Sequence, residues 1–126
     1  VHEWFVHPFF ALNADGRATV MLTAGTTLAE NPGYAIDGRR LTFKRAFQGK
    51  DDGHFDQLLL PPDTPFAAEV GHPRLKGLRF ATSFVPIRTA IWANGNTLSL
   101  EPFLALNLAP GETKQWSLTY EFGEPV

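Results

Sequence analysis

Gln115-Trp116-Ser117-Leu118-Thr119-Tyr120-Glu121-Phe122 alternates without a fault, with Trp, Leu, Tyr and Phe on even positions and Gln, Ser, Thr and Glu on odd ones. Side chains of an extended chain point to opposite faces in turn. A period of two over this length therefore predicts a strand with one buried face and one wet face. Ala109-Pro110-Gly111-Glu112, just ahead of it, is a turn signal. Before that turn Leu104, Leu106 and Leu108 alternate again. Asn94-Gly95 separates residues 89–93 from residues 97–101, and an Asn-Gly pair between two such runs predicts a hairpin. Residues 78–87 begin with the same alternation until Pro86 interrupts it, and residues 19–23 and 41–43 are shorter strand candidates. Residues 4–12 are apolar with little polar relief, which predicts a strand covered on both faces. Residues 52–60 fit either a helical turn or a buried strand, and Pro61-Pro62 stops either one. The Gly- and Pro-marked stretches 30–38 and 61–77 read as loops. No amphipathic helix emerges. The class is all-β and antiparallel, a β-sandwich or part of one.

The composition agrees. The chain has 126 residues, enough for one domain or one half of a larger one. It carries 11 Gly and 10 Pro, and 13% of it is aromatic, which suits short strands, tight turns and a bulky core. The formal net charge of −2 argues against nucleic acid as a partner, because phosphate binding needs a surplus of cations. The absence of Cys removes disulfides, a thiolate nucleophile and Cys-based metal sites. No apolar run approaches the roughly 20 residues of a membrane helix. Residues 1–12 show no basic leader region, so the expected location is cytoplasmic, away from membranes.

No phosphate-cradling Gly loop, GxSxG elbow or HExxH helix motif occurs. His54-x-Asp56 offers two metal ligands without a third nearby, so no metal site is expected. His72 sits in a basic loop with Arg74, Lys76 and Arg79 that reads as a solvated face. Within Phe5-Val6-His7-Pro8-Phe9-Phe10, His7 shares a strand face with Phe5 and Phe9. The pattern alone makes it a core histidine. Glu101 shares the polar face of its strand with Thr97 and Ser99, and the pattern alone makes it a solvated carboxylate. Asp56 reads as a turn cap.

These residues nevertheless occur in a familiar order. Val6-His7-Pro8-Phe9-Phe10-Ala11-Leu12 comes first, then Phe55-Asp56, then Leu100-Glu101-Pro102, and last Leu108-Ala109-Pro110-Gly111-Glu112-Thr113 leading into a strand. The series resembles the aldose 1-epimerase (galactose mutarotase) superfamily. It spans nearly the whole chain but only about the C-terminal half of a family member. The resemblance implies a galactose-mutarotase-like β-supersandwich, of which residues 1–126 form a single domain or half-domain with the N-terminal half absent. It implies interconversion of α and β anomers of an aldose by ring opening and closure, without a cofactor. A carboxylate removes the C1 hydroxyl proton while an imidazolium protonates the ring oxygen, the two groups lying on opposite sides of the sugar. Glu101 would then be the general base and His7 the general acid. Asp56 would hydrogen-bond sugar hydroxyls. Phe9, Phe10, Trp92 and Phe103 would wall the site, core packing being the other reading of each.

The implied substrate is an aldose sugar or a sugar phosphate. The basic cluster Arg39, Arg40, Lys44 and Arg45 would meet a phosphate, or is a solvated strand face. The family's N-terminal half also supplies an Arg and a second His to the sugar. Neither maps onto this chain, so we expect a fragment whose open face meets the missing half or a second chain. Two other functions remain on the same scaffold, a non-catalytic carbohydrate-binding module and an incomplete structural half of a larger carbohydrate-active enzyme.

Overall fold

The computed structural model describes residues 2–126, among which there are strands and turns but no helix. The strands are β1 (His2–Phe5), β2 (Phe10–Ala11), β3 (Val20–Leu22), β4 (Tyr34–Asp37), β5 (Arg40–Phe43), β6 (Gly53–Leu58), β7 (Ala67–His72), β8 (Leu75–Thr82), β9 (Arg88–Asn94), β10 (Thr97–Leu106) and β11 (Leu118–Phe122). They make two antiparallel sheets. One runs β1-β10-β9-β6 with β2 also beside β10, and the other runs β11-β8-β7-β3-β5-β4. Their facing sides bury one core that includes Val20, Leu22, Leu41, Phe66, Phe80, Ile91, Leu98 and Leu100. The chain is therefore all-β, with two sheets packed as a sandwich, as the alternating runs predict. No helix among the described residues is long and apolar enough to cross a membrane.

The predicted hairpin joins β9 to β10. The Asn94 side-chain oxygen accepts from the backbone N–H groups of Asn96 and Thr97 at 2.8 and 3.1 Å, which closes the turn. Gly95 is needed for close approach, since a Cβ there would lie 2.3 Å from the Gly49 nitrogen. The ambiguous segment 52–60 resolves as β6, paired along its length to β9. Two stretches read as loops hold strands instead. Residues 30–38 contain β4, and residues 61–77 contain β7 and the start of β8. Their alternation is real but short or built from small residues. Phe66, Ala68 and Val70 are buried in turn, and Tyr34 packs edge-on against Phe43. Residues 78–87 stop being a strand at Thr82, before Pro86, because the Thr82 hydroxyl donates to the Phe84 carbonyl at 2.7 Å and turns the chain.

Segment 115–122 forms a strand only over its last five residues, Leu118–Phe122. Trp116 meets Trp4 with ring centroids 5.3 Å apart, and Leu118 is half-buried. Further along, Tyr120 is exposed and Phe122 is 66% exposed. β11 is one edge of the six-stranded sheet and, among the described residues, pairs only with β8.

Residues 4–12 form two strands rather than one. β1 pairs with β10 from His2↔Leu106 to Phe5↔Phe103, and β2 pairs Phe10↔Leu98 and Ala11↔Thr97. The register is the same before and after the gap, so Val6 stands opposite Pro102, His7 opposite Glu101, Pro8 opposite Leu100 and Phe9 opposite Ser99. Pro8 and Pro102 each lack the N–H that a ladder bond requires, and residues 6–9 form no strand. One face of this run packs inward through Val6 and Phe10. The other is open, with Phe5 and Phe9 exposed, so the expectation of cover on both faces is corrected.

Candidate functional site

Register alone assembles the outer face of the five-stranded sheet. Residues directly opposite one another in antiparallel strands share a face. Three rows follow from the pairing: Phe5, Phe103 and Arg88; then His7, Glu101, Ala90 and Gln57; then Phe9, Ser99, Trp92 and Phe55. The middle row is polar except for Ala90, whose methyl group makes a low floor between Glu101 and Gln57. The flanking rows are largely aromatic. Phe5 stacks on Phe103 with centroids 4.4 Å apart, and the Arg88 guanidinium lies 4.1 Å from the Phe103 centroid. His7 lies 4.5 Å from the Phe9 ring and meets Trp92 edge-on at 6.2 Å.

At the centre, His7 Nδ1 lies 3.1 Å from Glu101 Oε2 and 2.8 Å from Ser99 Oγ. One ring nitrogen thus has two alternative partners, while Nε2 has no hydrogen-bond partner among the described residues. The His7 side chain is 46% exposed and that of Glu101 only 10%. The imidazole therefore lies over the carboxylate, and its own segment, residues 6–9, is not stitched to β10. Ser99 is fully buried beneath the ring, a position that fixes the imidazole. Arg88 also reaches Glu3 Oε2 at 2.7 Å, so its charge is compensated at the edge of the face.

The predicted site residues separate into two groups. His7, Glu101, Phe9, Trp92 and Phe103 converge on this outer face. Phe10 does not, being 6% exposed on the inner face and packed against Phe80. Asp56 does not either. It pairs with Ile91 and so points to the core side, at the sheet edge. There Asp56 Oδ2 meets His54 Nε2 at 3.0 Å, and Asp56 Oδ1 accepts from the Gln57 N–H at 2.9 Å. The Tyr34 hydroxyl, donating to the His54 carbonyl at 2.6 Å, is pushed up by burial first, with the Asp56 charge adding to the effect. No group of three or more His, Asp or Glu side chains gathers as a metal site among the described residues. The basic cluster lies at and around β5 of the other sheet, and three of its four members are engaged there. Arg39 donates to the Leu22 carbonyl, Lys44 pairs with Glu30, and Arg45 forms a two-pronged pair with Asp52.

Ser99, Ala90 and Gln57 are additions to the predicted set. Ser99 carried a signal, because it alternates with Glu101 on the polar face of its strand. Ala90 and Gln57 enter only through the pairing of β6 with β9 and β9 with β10. Compared with known proteins, the chain matches no family model, no curated protein and no solved structure.

Proposed function

We propose that this chain carries the acid–base pair of an aldose 1-epimerase-like isomerase, the function that its resemblance to that superfamily implies. One observation carries the reading: an imidazole and a carboxylate 3.1 Å apart at the centre of an aromatic-flanked strand face. Aromatic rings cover the apolar C–H faces of a sugar, and the polar row between them addresses its hydroxyls. The two catalytic groups touch each other instead of lying on opposite sides of the sugar.

In the ring-opening step the Glu101 carboxylate takes the proton of the C1 hydroxyl and His7 gives one to the ring oxygen. The bond from C1 to the ring oxygen breaks and a C1 carbonyl forms. Rotation about C1–C2 presents the other face of that carbonyl. On reclosure His7 recovers its proton from the hydroxyl and Glu101 returns its proton to the carbonyl oxygen. Ser99 matters here, because His7 Nδ1 keeps a partner when Glu101 turns to substrate. Strand scaffolding favours the positioning that such a pair requires.

A second reading is supported by the burial of Glu101 under His7: a carbohydrate-binding face with no turnover. Magnetisation-transfer NMR on glucose and galactose anomers separates the two. The isomerase reading expects faster exchange with the wild-type chain and none with Glu101→Gln or His7→Asn. Sugar binding that survives both substitutions, without exchange in any form, supports the binding face and overturns the isomerase. Absence of both binding and exchange overturns both readings.

A further inference from the structure

The strands at the sheet edges are not alike. In an antiparallel sheet, alternate residues of a strand send their N–H and C=O toward the same neighbour. Bonds beside three of the edges fix which residues point outward. Leu59 and Thr27 exchange two backbone bonds of 2.8 Å, so Gln57 also points outward from β6, and its N–H is taken by Asp56 Oδ1 at 2.9 Å. The Lys44 N–H donates to the Gly33 carbonyl at 2.9 Å, so Tyr34 points outward from β4, and its N–H is taken by Asn31 Oδ1 at 2.7 Å. On β11 the Ser83 N–H donates to the Ser117 carbonyl at 3.0 Å, and the Gly123 N–H to the Gly77 carbonyl at 2.8 Å. Thr119 and Glu121 therefore bond to β8, while the N–H and C=O of Leu118, Tyr120 and Phe122 point outward. No side chain among the described residues caps these three. They are also the apolar residues of the strand, and the rings of Tyr120 and Phe122 are exposed and stacked 6.4 Å apart. An uncapped apolar edge is a template for another strand.

We propose that β11 pairs antiparallel with β11 of a second copy of this chain, about a two-fold axis at Tyr120, joining two six-stranded sheets into one. The register follows from the outward groups. Outward residues bond only to outward residues, which leaves axes at Thr119, Tyr120 or Glu121. The axis at Tyr120 engages all three of them. Leu118 then faces Phe122 of the other copy and Tyr120 faces Tyr120, with about six hydrogen bonds in all. An axis at Thr119 or Glu121 engages only two. Side-chain chemistry selects the same axis. It sets apolar residues against apolar ones and Glu121 against Thr119, whereas an axis at Glu121 puts two carboxylates directly opposite, which destabilises a pair of strands. Arg79, opposite Glu121 on β8, flanks each carboxylate with a cation. The pairing is closed, because each copy presents the same edge to the other. A five-residue edge belongs with weak, transient contacts.

Sedimentation velocity on the full chain, from about 10 μM to about 1 mM, should show a shift from monomer to dimer. Amide hydrogen exchange reads the edge itself. At the low end Thr119 and Glu121 are protected while Leu118, Tyr120 and Phe122 exchange quickly, and at the high end all five are protected. Phe122→Lys, at an exposed position, sets a cation against Leu118 of the other copy. It should weaken association about tenfold and leave the unfolding midpoint unchanged. The chain has no Cys, so single cysteines report the register. Tyr120→Cys places the two sulfurs across the axis with Cα atoms roughly 5.5 Å apart, within disulfide reach, and should cross-link on oxidation. Thr119→Cys and Glu121→Cys lie beyond that reach from their own copies and should not. A chain that stays monomeric across the range overturns the proposal. So does a dimer that leaves the Leu118, Tyr120 and Phe122 amides open, or one that Phe122→Lys does not weaken. Cross-linking at Thr119→Cys or Glu121→Cys in preference to Tyr120→Cys overturns the register, and growth beyond the dimer overturns the closed pairing.

Discussion

The two faces of the five-stranded sheet are made by alternate residues of the same strands, yet they are stabilised differently. On the inner face Leu98, Leu100 and Ile91 pack against the other sheet and are completely buried. On the outer face Ser99, Glu101 and Phe103 are also buried, but with no sheet above them. Their cover comes from side chains of the same face: Phe5 and Arg88 lie against the Phe103 ring, and His7 meets Glu101 and Ser99. Burial on the inner face follows from the fold. On the outer face it follows from side-chain choice, and rotamer changes alone can uncover it. Such a face suits a ligand that must reach a carboxylate.

Glu101→Gln is the sharpest test of this contrast. Loss of a catalytic base costs about 10²–10⁴-fold in rate, so anomer exchange should fall by that factor while the urea midpoint stays near that of the parent. Leu100→Ala, one residue away on the other face, should do the reverse. It should cost about 2–5 kcal/mol of stability, read by urea unfolding, whereas Phe55→Ala on the outer face should stay within about 0.5 kcal/mol. A comparable loss at Phe55 would break the contrast. Ser99→Ala removes one hydrogen bond beneath His7, a change of about 0.5–1.5 kcal/mol. It should alter the ¹⁵N shift of His7 Nδ1 and lower exchange less than Glu101→Gln does. An unchanged shift removes Ser99 from the positioning role.

The smallest effect lies away from both faces. The Arg45 guanidinium, aided by the Gln48 N–H, holds the Asp52 carboxyl down to about 2 from the ordinary 3.8. A lowered folded-state value stabilises above the unfolded value and is lost as pH falls through the folded one. Asp52→Asn should therefore match the parent near pH 2 and be slightly less stable above pH 4, by an amount that solvent keeps small. Stability measured across that range checks the sign.

The parts of this architecture that were legible in the sequence are the local ones. The β9–β10 hairpin declares itself through Asn94-Gly95, and the faces of β10 through the alternation of Leu98, Leu100 and Leu104 with Ser99 and Glu101. Pairing over a long stretch of chain has no such signal. Nothing local says that residues 2–11 lie beside residues 97–106, nor that His7 falls opposite Glu101; the superfamily resemblance grouped those two residues without register. The parity of β6 is a sharper case. A slip of one residue exchanges the faces of a strand, so whether Phe55 or Asp56 faces Trp92 depends on how β6 docks on β9. The resemblance implies Asp56 as a site residue, whereas the pairing gives the outer face to Phe55 and Gln57. Phe10 went inward for a related reason: in a strand apolar on both sides, hydrophobicity does not mark the core face.

Pro8 and Pro102 set a timescale as well as a geometry. With Pro8 and Pro102 breaking the ladder, the four residues around His7 have no strand pairing to lose, while the flanking segments β1 and β2 stay anchored at Phe5↔Phe103 and Phe10↔Leu98. Opening this short span does not require unzipping either end. Its amides should exchange with deuterium well ahead of Trp4 and Phe10 on either side, at a rate set by local breathing instead of by global unfolding. The imidazole is thus carried by a short span tethered at both ends, and its opening should be separable from that of the flanking strands.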